Sequence, residues 1–237
     1  STDTGVLMLN ELVNRSRALP ASAKVLILGG GYSGRMLAAL LRRLGNTVLC
    51  TRRDQSRPDA DLLFDSDRDL LPQPDALQGI THLLSTIPPS PEGQDPALHC
   101  LRSQLESMPL QWVGYLSTTG VYGDTQGNWV RETDPARPGQ ARSRRRLNCE
   151  EAWRDSGLPI QILRLPGIYG PGRSVLNTVQ EGRARRIDKT GQVFCRVHVE
   201  DIAGACLHLM HRSQEGLHPA IVNVVDDEPA ASTELLD

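Results

Sequence analysis

A doubly wound α/β fold, a parallel sheet with helices on both faces, is the architecture this 237-residue chain predicts. Three observations carry that expectation. Short apolar strand runs alternate with helical segments from residue 24 to residue 165. A glycine-rich turn, Gly29-Gly30-Gly31-Tyr32-Ser33-Gly34, joins the first strand directly to the helix behind it. The length suits one large domain, or one with a small appendage, and is enough to bury a substantial core.

In chain order, residues 4–18 read as an amphipathic helix with Val6, Leu9, Leu12 and Val13 on one side and Pro20 past its end. This N-terminal unit, 1–20, precedes the first strand. It serves either to pack on the domain edge or to make a homodimer contact. The core, 21–165, opens with a strand at 24–28 and a helix at 33–44 that Gly45 terminates. Strands at 47–51, 61–64 and 80–85 follow, the last stopped by Pro88-Pro89. A helix at 96–107, a strand at 112–117, a charged helix at 142–156 and a strand at 160–165 complete the alternation. From Pro166 the pattern loosens into a helix at 175–185, a hairpin at 186–197, a helix at 200–211 and a strand at 221–225. A small substrate lobe, 166–237, interleaved with the last core elements, is expected there.

Composition excludes several classes of partner. The net charge is −2 and the pI about 6.3, which gives no footprint for nucleic acid or an acidic membrane surface. Lysine occurs only at Lys24 and Lys189, so arginine supplies nearly all positive charge. The five cysteines have neither metal-ligand spacing nor a paired pattern, which fits a reducing compartment and no metal. No 18-residue apolar run and no basic-then-apolar leader are visible, so the expected setting is the cytoplasm.

The spacing Gly29-x-Gly31-x-x-Gly34 between strand and helix is the dinucleotide fingerprint of a Rossmann-type sheet. The first glycine permits the turn, the second lets backbone approach a pyrophosphate, and the third lets helix pack on strand. Tyr32 and Ser33 open the helix whose N-terminus receives the anion. The second strand ends in Thr51-Arg52-Arg53-Asp54. A carboxylate at this strand end accepts from the ribose 2′-hydroxyl of NAD(H), whereas arginine meets the 2′-phosphate of NADP(H). Arg52 and Arg53 favour NADP(H) over NAD(H); Asp54, the competing residue, comes one or two positions late. Asp65, after the third strand, faces the adenine ring edge or serves as a strand-end turn former.

Four further stretches resemble the short-chain dehydrogenase/reductase superfamily, in particular its extended NAD-dependent epimerase/dehydratase type. They are Leu116-Ser117-Thr118-Thr119-Gly120-Val121-Tyr122-Gly123, Leu163 through Gly172, Val197-His198-Val199-Glu200-Asp201-Ile202-Ala203, and Val222-Asn223-Val224-Val225-Asp226-Asp227. With the glycine turn they span most of the chain in the family's order. The resemblance implies that Thr118 orients the reacting substrate oxygen. It also implies that Tyr122 lines the site wall as a candidate acid, and that Pro166 and Ile168 belong to the loop beside the nicotinamide. His198 and Asp201 match the segment that closes a substrate lobe onto the core.

Two departures qualify the resemblance. Leu28 stands where the extended enzymes have a glycine. The family's Tyr-x-x-x-Lys pair, counted from Glu150, falls on Arg142 and Arg146, or on Ser143 and Leu147 with a shift of one; neither register has a tyrosine, and none lies between Tyr122 and Tyr169. Arg146 can keep a cation beside the nicotinamide ribose, but Arg142 cannot exchange a proton at neutral pH. Arg142 and Arg146 share one helix face and are placed to contact an anion, with Glu150 one turn on to neutralise Arg146. Two functions therefore stand. One is an NADP(H)-dependent oxidoreductase or epimerase-like enzyme acting on a small polar substrate; the other is a non-catalytic NADP(H)-binding sensor. A scaffold docked through the N-terminal helix is a third.

Overall fold

The computed structural model describes residues 2–53, 61–126, 130–169, 193–194, 196–216, 219–224 and 230–231. Helix α1 (Thr2–Asn14) precedes strand β1 (Lys24–Leu28), helix α2 (Tyr32–Arg43) and strands β2 (Thr47–Arg52), β3 (Leu62–Leu63) and β4 (His82–Ser85). Next come α3 (Pro96–Ser107), β5 (Trp112–Thr118), α4 (Ala141–Arg154) and β6 (Ile160–Leu165). Strands β7 (Gly167–Tyr169), β8 (Val193–Phe194) and β9 (Arg196–His198), helix α5 (Val199–Gln214), β10 (Ile221–Asn223) and β11 (Ala230–Ala231) follow.

Seven strands form one parallel sheet in the order β10-β6-β5-β4-β1-β2-β3. Strand β1 is central, and the strand order reverses between it and β4. A crevice for a ligand opens beyond the carboxyl ends of the strands at such a reversal. Because both faces are covered, β1 is apolar on both. Val25 and Ile27 join the core under α1, α2 and α5; Leu26 and Leu28 join the core under α3 and α4. Helix α2 buries Leu37, Ala38, Leu40 and Leu41 and carries Arg42 and Arg43 in its last turn. Helix α3 begins at Pro96 with Asp95 as its cap, accepting from the Leu98 amide at 3.0 Å. The second Asp95 oxygen accepts from Trp153 Nε1 at 2.9 Å, which ties α3 to α4.

Several boundaries differ from the sequence expectation. Helix α1 stops at Asn14, not at residue 18. The strap beyond it is drawn inward because Leu19 is buried and its amide and carbonyl both bond the Asn46 side chain, at 2.9 and 3.0 Å. Strand β4 begins at His82. Strand β2 runs one residue further, to Arg52, which pairs in register with Leu63. Gly167–Tyr169, expected as loop, is a strand running parallel to β9. The expected helix at 175–185 and residues 186–192 of the hairpin lie outside the described residues; Val193–Phe194 pairs with Ala230–Ala231.

At the lower edge of the sheet, the Trp112 indole folds over Gly114, where a Cβ would come within 2.2 Å of it. Its N–H donates to Gln161 Oε1 at 2.6 Å, and Gln161 Nε2 donates to the Pro219 carbonyl at 2.9 Å. His82, beside Trp112 in register, is fully buried. Burial, with a smaller contribution from His211, holds its imidazole down at a pKa of about 4.

Candidate active site

The three fingerprint glycines have distinct physical reasons to be glycine. Gly29 has φ +104°, and a Cβ there would lie 2.2 Å from Thr86 Oγ1. A Cβ on Gly34 would lie 2.9 Å from Ile27 Cγ2, so its absence sets the close approach of α2 to β1. A Cβ on Gly31 would meet open space, with the nearest atom at 4.0 Å. That space is the cradle a diphosphate needs. Gly31 is also the cap of α2, no side chain caps the helix, and its first turn carries no acid. The N-terminal amides therefore face the cradle without a competing anion.

Two threonines brace the turn. Thr51 Oγ1 accepts from the Gly29 amide at 2.9 Å, and Thr86 Oγ1 donates to the Leu28 carbonyl at 2.9 Å. Around the turn lies a crevice of about 410 Å³, walled by Arg52, Phe64, Asp65, Thr86 and the run Ile87-Pro88-Pro89. A larger hollow of about 630 Å³ lies between α1 and α5 and shares no residue with the crevice. The crevice is the candidate site because the cradle and the strand reversal are both there.

The structure places Arg52 and Arg53 differently. Arg52 is 4% exposed and lies across Gly30. Arg53 points outward from the rim, 69% exposed, with Nη2 2.8 Å from Asp67 and 3.3 Å from Asp65. Asp65 is buried and accepts from Arg68 Nε at 2.8 Å and from the Asp67 amide at 3.0 Å. The Arg68 contact above all, with Arg53 and the amide, holds its carboxyl below the usual carboxylate range against the opposing effect of burial. Asp65 thus forms the strand-end turn and also lines the crevice. Tyr32 lies in the first turn of α2 with the Arg35 guanidinium 5.8 Å from its ring, and Ser33 is buried behind it.

Beyond the crevice, the end of β5 forms a second surface. Thr118 Oγ1 accepts from the Gly120 amide at 3.0 Å, which fixes the hydroxyl at the head of a short turn. Tyr122 is buried, and its hydroxyl donates to Asn223 Oδ1 at 2.8 Å. The Arg164 guanidinium covers its ring, 4.7 Å from the centroid. Arg164 forks onto Glu150, with Nη2 2.7 Å from Oε1 and Nε 3.1 Å from Oε2. Ser117 Oγ donates to the same carboxylate. Glu150 and Arg164 are 1% and 3% exposed.

This buried pair corrects one expectation: Glu150 neutralises Arg164, not Arg146. Glu150 projects from α4 onto the sheet, where Arg164 of β6 reaches it. Arg146 instead runs to β5, donating from Nη1 to the Tyr115 hydroxyl at 3.1 Å and to the Leu116 carbonyl at 3.2 Å. Arg142, one turn earlier, is exposed and donates to Gln140 Oε1 at 3.0 Å. The two arginines expected to share an anion therefore engage different surroundings.

Gly29, Gly31, Arg52, Arg53 and Asp65 thus line one crevice, and Ser33 and Gly34 lie buried in the first turn of α2 beside it. Pro166 follows β6 and Ile168 lies in β7; the side chains of Ile168 and His198, and Asp54, lie outside the described residues. Sequence reasoning missed Thr51, Thr86 and the Glu150–Arg164 pair. Thr86 had a signal, as a hydroxyl just past the strand that neighbours β1. So did Arg164, a charged residue inside a mostly apolar strand, which needs a buried carboxylate. Among the described residues, no group of three or more His, Cys, Asp or Glu could hold a metal, and no helix is long and apolar enough to cross a membrane.

Comparison with known proteins agrees with this geometry. Protein YeeZ of Escherichia coli K12 is 32% identical over 218 residues, spanning 81% of this chain and 75% of that protein. The structure of a conserved protein of unknown function from Silicibacter pomeroyi DSS is 38% identical, with a TM-score of 0.73 over 90% of this chain and 76% of that one. The UDP-N-acetylglucosamine 4-epimerase of Bacillus cereus is 15% identical and shares the fold, with a TM-score of 0.69 over 90% of this chain and 79% of its own. The NAD dependent epimerase/dehydratase profile matches residues 25–224. The glycine cradle at the strand reversal, the Thr118 turn and this match together place the chain in the NAD dependent epimerase/dehydratase family, whose members bind NAD(P).

Proposed function

We propose that the chain is an NADP(H)-dependent oxidoreductase or epimerase-like enzyme acting on a small polar substrate in the cytoplasm. The observation that carries the cofactor preference is Arg52, a buried cation at the end of β2 inside the crevice. In this reading the cradle of Gly29, Gly31 and Gly34 and the α2 amides hold the diphosphate. Arg52 holds the 2′-phosphate, Arg53 adds charge at the rim, and Asp65 faces the adenine edge. When bound, the dinucleotide supplies hydride chemistry at its nicotinamide, beside Pro166 and Ile168. Thr118 keeps its hydroxyl proton to donate, because its oxygen accepts from Gly120, and so orients the substrate oxygen. Tyr122 acts as a positioning residue, since its proton is committed to Asn223. Arg146 keeps a cation near the ribose with the nitrogens that Tyr115 and Leu116 leave over. With arginine at 142, the proton travels through solvent and not through a fixed phenol.

A second reading, a non-catalytic NADP(H) sensor, is favoured by Arg142, which is exposed and engages Gln140 where the family has its acid/base. Fluorescence titration with NADPH and NADH tests the shared part: NADPH should bind tighter, and equal or reversed affinity would overturn the preference. Following NADPH oxidation over a panel of small polar carbonyl compounds then separates the two. Turnover supports the enzyme, and saturable binding with no oxidation supports the sensor.

A further inference from the structure

Gly30 is the variable position of the fingerprint, and neither the turn nor the diphosphate requires a glycine there. Its φ is not in the left-handed region, unlike that of Gly29, so an L-residue fits its backbone. What a side chain would displace is Arg52. A Cβ on Gly30 would lie 2.1 Å from Arg52 Nη1, 2.7 Å from Cδ and 3.0 Å from Cζ. The Arg52 side chain therefore lies directly against the glycine turn. It is buried there, within the crevice, and anchored from below as the last residue of β2 in register with Leu63. The neighbouring Arg53 cannot replace it, because its guanidinium leans outward onto Asp65 and Asp67.

Resting on the NADP(H) reading above, we infer that Gly30 is a specificity-determining residue: its missing side chain seats the Arg52 guanidinium where the cofactor's 2′-phosphate is read. The preference then belongs to a pair, Gly30 with Arg52. Any side chain at 30 lifts the guanidinium off the turn while leaving the backbone cradle of Gly29, Gly31 and Gly34 unchanged. A cation lifted toward water is hydrated and mobile, and it loses the fixed, two-pronged geometry that distinguishes a phosphate from a hydroxyl.

The test is a double-mutant cycle read by binding, not turnover. Full-length wild type, Gly30→Ala, Arg52→Ala and the double variant are titrated with NADPH, NADH, 2′,5′-ADP and 5′-AMP. Wild type should prefer NADPH over NADH by about tenfold or more, and Arg52→Ala should abolish that preference. Gly30→Ala should lower the preference at least about fivefold while NADH and 5′-AMP affinities stay within about threefold, since only the phosphate contact changes. In the Arg52→Ala background, Gly30→Ala should change nothing further; this variant removes the Arg52 contacts and keeps the test valid if Gly30→Ala alone folds poorly. A Gly30→Ala protein with the wild-type preference overturns the pairing and leaves the Arg52 reading intact. Equal weakening toward NADPH and NADH also overturns it and assigns Gly30 to the diphosphate cradle. A wild type with no NADPH preference overturns the cofactor reading itself, and the pairing with it.

Discussion

Arg164 and Glu150 lie buried beneath the surface at the end of β5 and brace it through Ser117 and Tyr122. The pair is buried, and Arg164 also covers the Tyr122 ring. Removing one partner strands a buried charge, so Glu150→Ala should destabilise the fold by about 3–5 kcal/mol in urea or thermal unfolding. Replacing both, as Glu150→Leu with Arg164→Met, should recover most of that loss. His82 gives a pH signature. Its folded pKa of about 4 lies below the ordinary 6.5, so the unfolded chain binds the extra proton between those values. Its contribution is intact above pH 6.5, falls as the pH drops toward 4, and totals about 3 kcal/mol. Wild type minus His82→Gln, measured by denaturant unfolding from pH 7 to pH 4, should show that slope. At this scale the sequence was legible where spacing alone carries meaning, as at Gly29, Gly31 and Gly34. It was not legible for Arg146, because a long side chain chooses among neighbours that only the folded sheet brings near, here Tyr115 and Leu116 of β5.

Among the elements, strands bounded by punctuation were read well and ends set by distant contacts were not. Gly45, at φ +89°, follows α2 as expected from its type and place. The end of α1 was misplaced because Asn46, far along the chain, captures Leu19. Strand β2 runs one residue past its expected end because the neighbouring chain holds it there: the Arg52 carbonyl accepts from the Phe64 amide at 2.8 Å. Helix α1 packs on its own domain: Leu12 is 3% exposed, against Gly204 of α5. Leu12→Ala should cost about 2–5 kcal/mol, as for a core leucine, which thermal denaturation can check. A sedimentation comparison of the intact chain with one lacking residues 1–20 then reads whether the helix also serves a homodimer.

For the whole molecule, the doubly wound sheet was legible because alternation of strand and helix leaves few ways to pack both faces. The second surface was less legible, because it is assembled from β5, α4, β6 and β10, which are far apart in sequence. Filling the crevice should stabilise the whole domain through mass action. At NADPH a hundredfold above its Kd the gain is about 2.7 kcal/mol, and scanning calorimetry should record Tm higher by about 5–10 °C. Arg52→Ala should shrink that shift with NADPH and leave the smaller shift with NADH in place.

Every residue lining the dinucleotide crevice falls between 29 and 96, whereas Asn223, which holds the Tyr122 hydroxyl, comes 101 residues after its partner. On a ribosome adding about 5–20 residues per second, the crevice lining is therefore synthesised roughly 6–25 s before the strand that completes the opposite wall.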